Sequence, residues 1–172
     1  MISTACKDAE VWTEKDIIYA VGVLDKKTEQ LNSLAFVYGA DYCASKEIYE
    51  RIKKIIKNGV ENIPDIEFSE TKELGRVNRV DPLGITYLRV RGMWGIENPF
   101  ITFEKHYKRD NSNSFNFMCI INDDKYYSFE NIQELEELSS INENLKISNI
   151  QINNPDNPSR LISAKLITFC LK

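Results

Sequence analysis

The sequence predicts an α+β fold in which a mainly antiparallel β-sheet carries two principal helices. Several short segments are rich in β-branched and aromatic residues and are separated by polar loops. Two segments, at about 45–58 and 129–139, have apolar residues at helical spacing. The length of 172 residues, with 42% hydrophobic and 28% charged residues, fits a single globular domain spanning residues 1–172.

Two strands are predicted near the N-terminus, at residues 17–24 and 34–38, with a polar loop at 25–32 between them. Both segments are apolar on both faces, which is typical of a strand that is covered on each side. The apolar spacing of residues 17–24 also fits a helix that begins at Thr13. The β-branched and aromatic composition favours the strand.

The clearest helix is predicted over residues 45–58. Ser45 can accept a hydrogen bond as the N-cap, and Gly59 follows as a C-terminal stop. An apolar stripe along this helix is formed by Ile48, Ile52, Ile55 and Ile56. Residues 60–75 are predicted to form a loop with a short turn of helix after Ser69.

Three strands are predicted next, at residues 85–91, 100–108 and 115–121, because aromatic and branched residues dominate them. A tight turn at 122–125 leads towards the second helix. Ser128 or Asn131 caps that helix, which directs Ile132, Leu135 and Leu138 inward. Two final strands are predicted at 146–152 and 161–171. The last is apolar on both faces and is therefore expected to be central in the sheet.

The four cysteines show no metal-binding or redox spacing. Cys6, Cys43, Cys119 and Cys170 are scattered without a C-x-x-C pair, and reduced thiols are expected. No cofactor site and no metal site is predicted. The N-terminal residues lack the pattern of a signal peptide, and no run reaches the ~20 apolar residues of a transmembrane helix. A cytoplasmic protein without a membrane partner is the expectation.

The charges are sorted into blocks. Residues 76–109 contain seven Lys or Arg and three Asp or Glu, a net charge of +4, whereas residues 110–144 contain eight acids and one Lys, a net charge of −7. The flanking blocks carry −4 (residues 1–75) and +3 (residues 145–172), which completes the total of −4. A field segregated in this way steers association with a charged partner.

The acidic block predicts a surface that binds a basic protein. Its carboxylates lie in one turn, one helix and the helix exit, beside two tyrosines. The predicted contact residues are Asp123, Asp124, Tyr126, Tyr127, Glu130, Glu134, Glu136, Glu137 and Glu143. Carboxylates on this surface can mimic the phosphates that a nuclease binds. The function predicted first is therefore a non-catalytic bacterial immunity protein, a toxin inhibitor or antitoxin that occludes a nuclease toxin.

The alternative function is a small metal-independent ribonuclease. If strands 85–91 and 100–108 pair as a hairpin, alternation places Arg89, Arg91, Glu104 and His106 on one sheet face. A carboxylate base, an imidazole acid and two guanidinium groups can cleave RNA through its 2′-hydroxyl. In residue types this set resembles the sites of small microbial ribonucleases. An exposed face with paired charges is the simpler interpretation of the same residues.

Binding of nucleic acid by the basic block 76–109 is disfavoured. Arginine and lysine side chains there can contact phosphates, and neighbouring aromatic rings can stack on bases. The protein as a whole is acidic, however, and strand alternation turns Phe103 and Tyr107 towards the core.

Overall fold

The computed structural model describes residues 16–42, 46–62, 67–68, 75–78, 83, 88–90 and 97–172. These residues fall into two compact units. The larger unit contains 16–42 and 97–172, and the smaller contains the remaining ranges. The predicted α+β class is confirmed, because strands in a mainly antiparallel sheet predominate over a few helices. A single domain stays a prediction.

The larger unit is built on a five-stranded sheet with the order β1-β2-β6-β8-β7. Its strands are β1 (Ile18–Leu24), β2 (Leu31–Tyr38), β6 (Phe115–Asn122), β7 (Leu145–Asn154) and β8 (Asn157–Leu171). The strands that lie between β2 and β6 in the chain belong to the smaller unit. Neighbours in the five-stranded sheet are antiparallel except β2 and β6, which run parallel with Ser33 opposite Asn116. The strand prediction for 17–24 and the central position of the last strand are both confirmed.

Each face of this sheet carries its own apolar cluster. On one face, Met118 and Ile120 of β6 pack with Ala164 and Leu166 of β8 and are fully or almost fully buried. On the other face, Ile121, Tyr126 and Ile167 form a second cluster. The sheet therefore lies between two layers, as the apolar runs of β6 and β8 require.

Residues 99–108 are not a strand, contrary to the prediction. Pro99–Thr102 form a short helix, α2, and turns follow it. The Asn98 side chain accepts a hydrogen bond from the Phe100 backbone N–H at 3.0 Å, and Pro99 occupies the first turn. Both features start helices, and here they outweigh the strand-like composition.

Two further helices lie on the second face of the sheet. The predicted turn at 122–125 is a short helix, α3 (Asp123–Tyr126). The predicted helix 129–139 begins later and is α4 (Ile132–Ile141). Ile132 and Leu135 pack on the cluster around Ile121, whereas Leu138 is 51% exposed rather than inward.

The smaller unit contains α1 (Lys46–Glu61) and a three-stranded antiparallel sheet of β3 (Glu67–Phe68), β4 (Gly75–Asn78) and β5 (Leu88–Val90). The helix predicted over 45–58 is confirmed, but it continues through Gly59, which does not stop it. Ile55 is 63% exposed, so the predicted apolar stripe is not uniformly covered. The turn predicted after Ser69 lies outside the described residues.

None of the helices in the described ranges is long and apolar enough to cross a membrane. Cys119 and Cys170 are free thiols, as predicted, and both are partly buried. Cys6 and Cys43 lie outside the described residues.

Candidate functional site: a carboxylate cavity at the end of the parallel strands

A cavity of about 320 Å³ lies where the parallel strands β2 and β6 end. Because the two strands run in the same direction, the segments that follow them emerge at one edge of the sheet. Ligands in open sheets commonly bind at such an edge. The hairpin between β7 and β8 completes the cavity, whose lining is mostly polar: Ala40, Asp41, Asn122, Asp123, Asp124, Asn154, Asp156, Ile162 and Ser163.

Asp41 and Asn122 tie the two strand ends together. The Asn122 backbone N–H donates to Asp41 Oδ2 at 2.6 Å, and Asn122 Nδ2 donates to Asp41 Oδ1 at 2.9 Å. Asn122 Oδ1 accepts from the Lys125 backbone N–H at 2.8 Å, which caps α3. Burial raises the pKa of Asp41, and the two hydrogen bonds from Asn122 oppose that shift. The start of α3 is therefore held in place.

Asp123 follows directly and turns a carboxylate towards the cavity. Its Oδ1 atom is buried and has no hydrogen-bond partner among the described residues. A buried carboxylate oxygen without a partner is costly, and such atoms are ordinarily satisfied by water or an ion. Asp123 is therefore the group in this cavity that is most suited to binding a ligand.

Lys165 places a buried cation near one of these carboxylates, Asp123. It lies on β8 and is 7% exposed. Its Nζ donates to Asn149 Oδ1 at 2.5 Å and lies 4.9 Å from the Tyr127 ring centroid and 5.4 Å from that of Tyr126. A hydrogen bond with Tyr127 raises the pKa of Lys165 against the effect of burial, and the charge of Asp123 adds to the rise. The side chain is therefore cationic at neutral pH.

The donor atoms at the cavity are carboxylate and amide oxygens. Among the described residues, no three or more His, Cys, Asp or Glu side chains form a group that could hold a metal ion by themselves. Mg²⁺ does not require such a cage, because it keeps several waters and binds through one or two carboxylates together with substrate phosphates. The orphaned oxygen of Asp123 and the oxygen chemistry of the lining thus fit Mg²⁺.

The predicted acidic contact residues are spread over the α3–α4 segment. Asp124, Tyr127, Glu130, Glu134, Glu137 and Glu143 are exposed, and Asp123 is half-buried at the cavity. Tyr126 is buried at 1% exposure, so it is not available to a partner as predicted. Its hydroxyl donates to Glu136 Oε1 at 3.3 Å, and burial raises the pKa of Tyr126 to about 12.

The residues of the predicted catalytic set do not form the expected hairpin face. Arg89 is exposed on β5, which pairs with β4. Arg91 lies outside the described residues. Glu104 and His106 are exposed in turns, and Glu104 forms an ion pair with Lys108 at 3.3 Å. The hairpin prediction is wrong because residues 99–108 contain a helix and turns instead of a strand.

Sequence reasoning missed Asp41, Asn122, Asp156 and Lys165. One local signal was present for Lys165, which is the only charged residue in the apolar run of residues 161–171. Lysine is almost never fully buried unless it is paired, so a lysine in a central strand indicates a paired or functional site. Asp41 carries no comparable signal, because its partner lies 81 residues away.

Comparison with known proteins decides the family. The sequence profile of the NgoPII restriction endonuclease matches residues 1–153. The chain belongs to the NgoPII restriction endonuclease family. The type II restriction enzyme NgoPII of Neisseria gonorrhoeae is 61% identical to it over 171 residues. That alignment covers 99% of this chain and 60% of the relative, so the chain spans about three fifths of the relative's length. No solved structure matches the chain.

Membership of the NgoPII family corrects the functional predictions. An immunity protein, toxin inhibitor or antitoxin is wrong, and so is a basic protein or nuclease toxin as the partner, because restriction endonucleases act on DNA. The ribonuclease alternative is wrong for the same reason. Binding of nucleic acid was disfavoured because the chain as a whole is negatively charged. That argument was wrong because net charge does not describe the field at one local site.

Proposed function

We propose that this chain is a DNA-cleaving enzyme, or the larger part of one, and that hydrolysis of the phosphodiester takes place at the cavity lined by Asp123 and Asp156. The observation that carries the proposal is the 61% identity to a type II restriction enzyme across nearly the whole chain. The cavity supports it, since carboxylates and a neighbouring buried lysine are groups suited to phosphoryl chemistry.

DNA can enter this cavity only if positive charge offsets the repulsion between the cavity carboxylates and the DNA phosphates. Asp41, Asp123, Asp124 and Asp156 all line it, and carboxylates repel phosphates at close range. Lys165 is a buried cation near Asp123. Mg²⁺ would supply further positive charge, and Asp123 and Asp156 would hold it. When bound, Mg²⁺ stabilises negative charge on phosphate oxygens and lowers the pKa of a bound water.

The chain's own groups have separate tasks in this proposal. Asp123 orients the attacking water through its carboxylate, which lines the cavity. Lys165 attracts the scissile phosphate, and its hydrogen bond to Asn149 holds the ammonium in place. Asp41 is a positioning residue, because it holds Asn122 and thereby the residue that follows it.

The test is cleavage of plasmid DNA by the purified chain with and without Mg²⁺. Asp123→Asn is expected to lower the cleavage rate by about 100-fold or more, while the fold is retained because the side chain keeps its size. Glu143→Gln is the matched control, since it removes one exposed carboxylate from the same acidic block. Failure of the unaltered chain to cleave DNA, or full activity of Asp123→Asn, would contradict the proposal.

We also infer a cytoplasmic location for this activity. The support is indirect: the similar restriction enzyme comes from a bacterium, whose DNA lies in the cytoplasm.

A further inference from the structure

Lys165 is a buried cation whose charge is not paired with a carboxylate. It lies on β8 and is 7% exposed. No carboxylate of the described residues forms an ion pair with it. Burial of a lysine is costly, because the ammonium loses its hydration. Neutral groups of the protein must therefore replace part of that hydration.

Three neutral side chains contact the ammonium, here called the lysine cage: Asn149, Tyr126 and Tyr127. Asn149 Oδ1 accepts a hydrogen bond from Lys165 Nζ at 2.5 Å. The ring centroids of Tyr127 and Tyr126 lie 4.9 and 5.4 Å from Nζ. An aromatic ring within about 6 Å attracts a cation, and the attraction is stronger where water is excluded. The lysine cage thus holds the ammonium without cancelling its charge.

Tyr127 is itself held in place by its neighbour in the chain. Its ring meets the ring of Tyr126 edge to face, with centroids 5.1 Å apart and an interplanar angle of 81°. Tyr126 is buried, and its hydroxyl donates to Glu136 Oε1 at 3.3 Å. The Tyr127 side chain is 60% exposed. It can therefore be replaced without opening the core.

Helix α3 connects Tyr127 to the cavity carboxylate. The helix begins at Asp123, and Tyr127 is its C-cap. The Tyr127 backbone N–H donates to the Asp123 carbonyl oxygen at 2.9 Å. One turn of helix thus carries the carboxylate at its start and a contact of the ammonium at its end. Asn149 and Asp123 also line a common cavity of about 430 Å³, so the ammonium lies one hydrogen bond away from the lining of that cavity.

We propose that Tyr127 is a positioning residue for DNA cleavage, which holds the Lys165 ammonium at a fixed place near Asp123 and so keeps an unpaired positive charge close to the scissile phosphate. The inference rests on the proposed function, because it requires a phosphodiester as the substrate. A lysine side chain is flexible and has many rotamers. A cation that is already fixed stabilises charge in the transition state better than a mobile one, since it does not have to reorganise during the reaction.

The experiment measures plasmid cleavage by Tyr127→Leu in two backgrounds. In the otherwise unaltered chain with Mg²⁺, Tyr127→Leu is expected to lower the cleavage rate by about 3- to 30-fold. In a chain that already carries Lys165→Met, the same change is expected to alter the rate by less than about 2-fold, because the cation that Tyr127 positions is gone. Phe129→Leu is the matched control and should cleave at the unaltered rate, since this exposed ring lies 5.6 Å from Lys125 Nζ instead.

The place of the ammonium is tested without DNA, by proton–carbon NMR of protein labelled at its lysines. Ring currents of Tyr126 and Tyr127 displace the Lys165 side-chain signals from those of exposed lysines, and the signals that vanish in Lys165→Met identify them. Tyr127→Leu is expected to move these signals towards those of exposed lysines, whereas Phe129→Leu leaves them in place. Thermal melting of each variant shows whether the fold is retained.

The outcomes separate the two proposals. If Tyr127→Leu leaves cleavage or the Lys165 signals unchanged, or lowers cleavage equally with and without Lys165, the positioning role is wrong and the cleavage proposal stands. If the unaltered chain does not cleave DNA, the proposed function fails and the role of Tyr127 in cleavage fails with it. The NMR signals then still report where the ammonium lies.

Discussion

Asp41 and Asn122, which are 81 residues apart in the chain, form two hydrogen bonds of 2.6 and 2.9 Å across the ends of β2 and β6. The pair connects a 3₁₀ turn, Gly39–Asp41, to the helix that begins at Asp123. Both segments line the carboxylate cavity. The two bonds thus set the relative position of groups that arise from distant parts of the sequence.

Removal of the Asp41 carboxylate is expected to destabilise the fold. Asp41→Ala leaves the Asn122 backbone N–H and side-chain amide without their acceptors in a buried region, which costs about 1–3 kcal/mol for each unsatisfied group. Urea unfolding followed by circular dichroism measures this loss. Asp124→Ala is a suitable control, because Asp124 lines the same cavity but is exposed. Equal stability of the two variants would show that the pair does not carry this role.

The raised pKa of Asp41 predicts a pH dependence of stability. At a pH between the ordinary carboxyl pKa of 3.8 and the raised pKa of the folded protein, Asp41 binds more protons in the folded protein than in the unfolded chain. The contribution of this group to stability is therefore greatest below pH 3.8 and falls as the pH rises through the folded pKa. Asp41→Asn cannot titrate and should lack this component.

The measurement is the urea midpoint of the unaltered chain minus that of Asp41→Asn, taken from pH 3 upward on the same buffers. A difference that does not fall with rising pH would mean that burial does not favour the protonated carboxyl.

Replacement of Lys165 should affect cleavage more than stability. Lys165→Met keeps the volume of the side chain but removes the positive charge beside Asp123. Its hydrogen-bond partners Asn149 and Tyr127 are exposed, so water can replace the lost hydrogen bonds and the change in stability is small. We expect cleavage to fall by at least 10-fold, as for the loss of a group that stabilises phosphate charge.

Lys172→Met is the control for Lys165→Met, since it removes the same charge from an exposed position on the same segment. Cleavage rates and urea midpoints are measured for both variants. Parallel loss of stability and cleavage in Lys165→Met alone would indicate a structural role for the lysine instead of an electrostatic one.

Several elements could be predicted because their signals are local. The β-branched and aromatic runs of β1, β6 and β8 identified these strands, and apolar spacing identified α1. One failure also has a local cause. The capping Asn98 and the following Pro99 start a helix at residues 98–102, whereas the strand prediction for 100–108 was based on composition.

The functional predictions failed for a different reason. The summed charges of residues 110–144 and 145–172 pointed to the exposed acidic residues of α4. The half-buried Asp123 and the buried Lys165 are single residues within these two blocks, and the sums do not single them out. The block sums could not distinguish a solvated carboxylate from one, Asp123, whose buried oxygen has no partner among the described residues.

By itself, the amino-acid sequence determined the fold class, most strand positions and the two longer helices, since residue composition and apolar spacing are local signals. Only the tertiary structure decided that β2 and β6 run parallel as neighbours, with 33–37 opposite 116–120. That pairing brings Asp41, Asp123 and the β7–β8 hairpin to one cavity. It depends on contacts between segments some 80 residues apart, which no local pattern specifies.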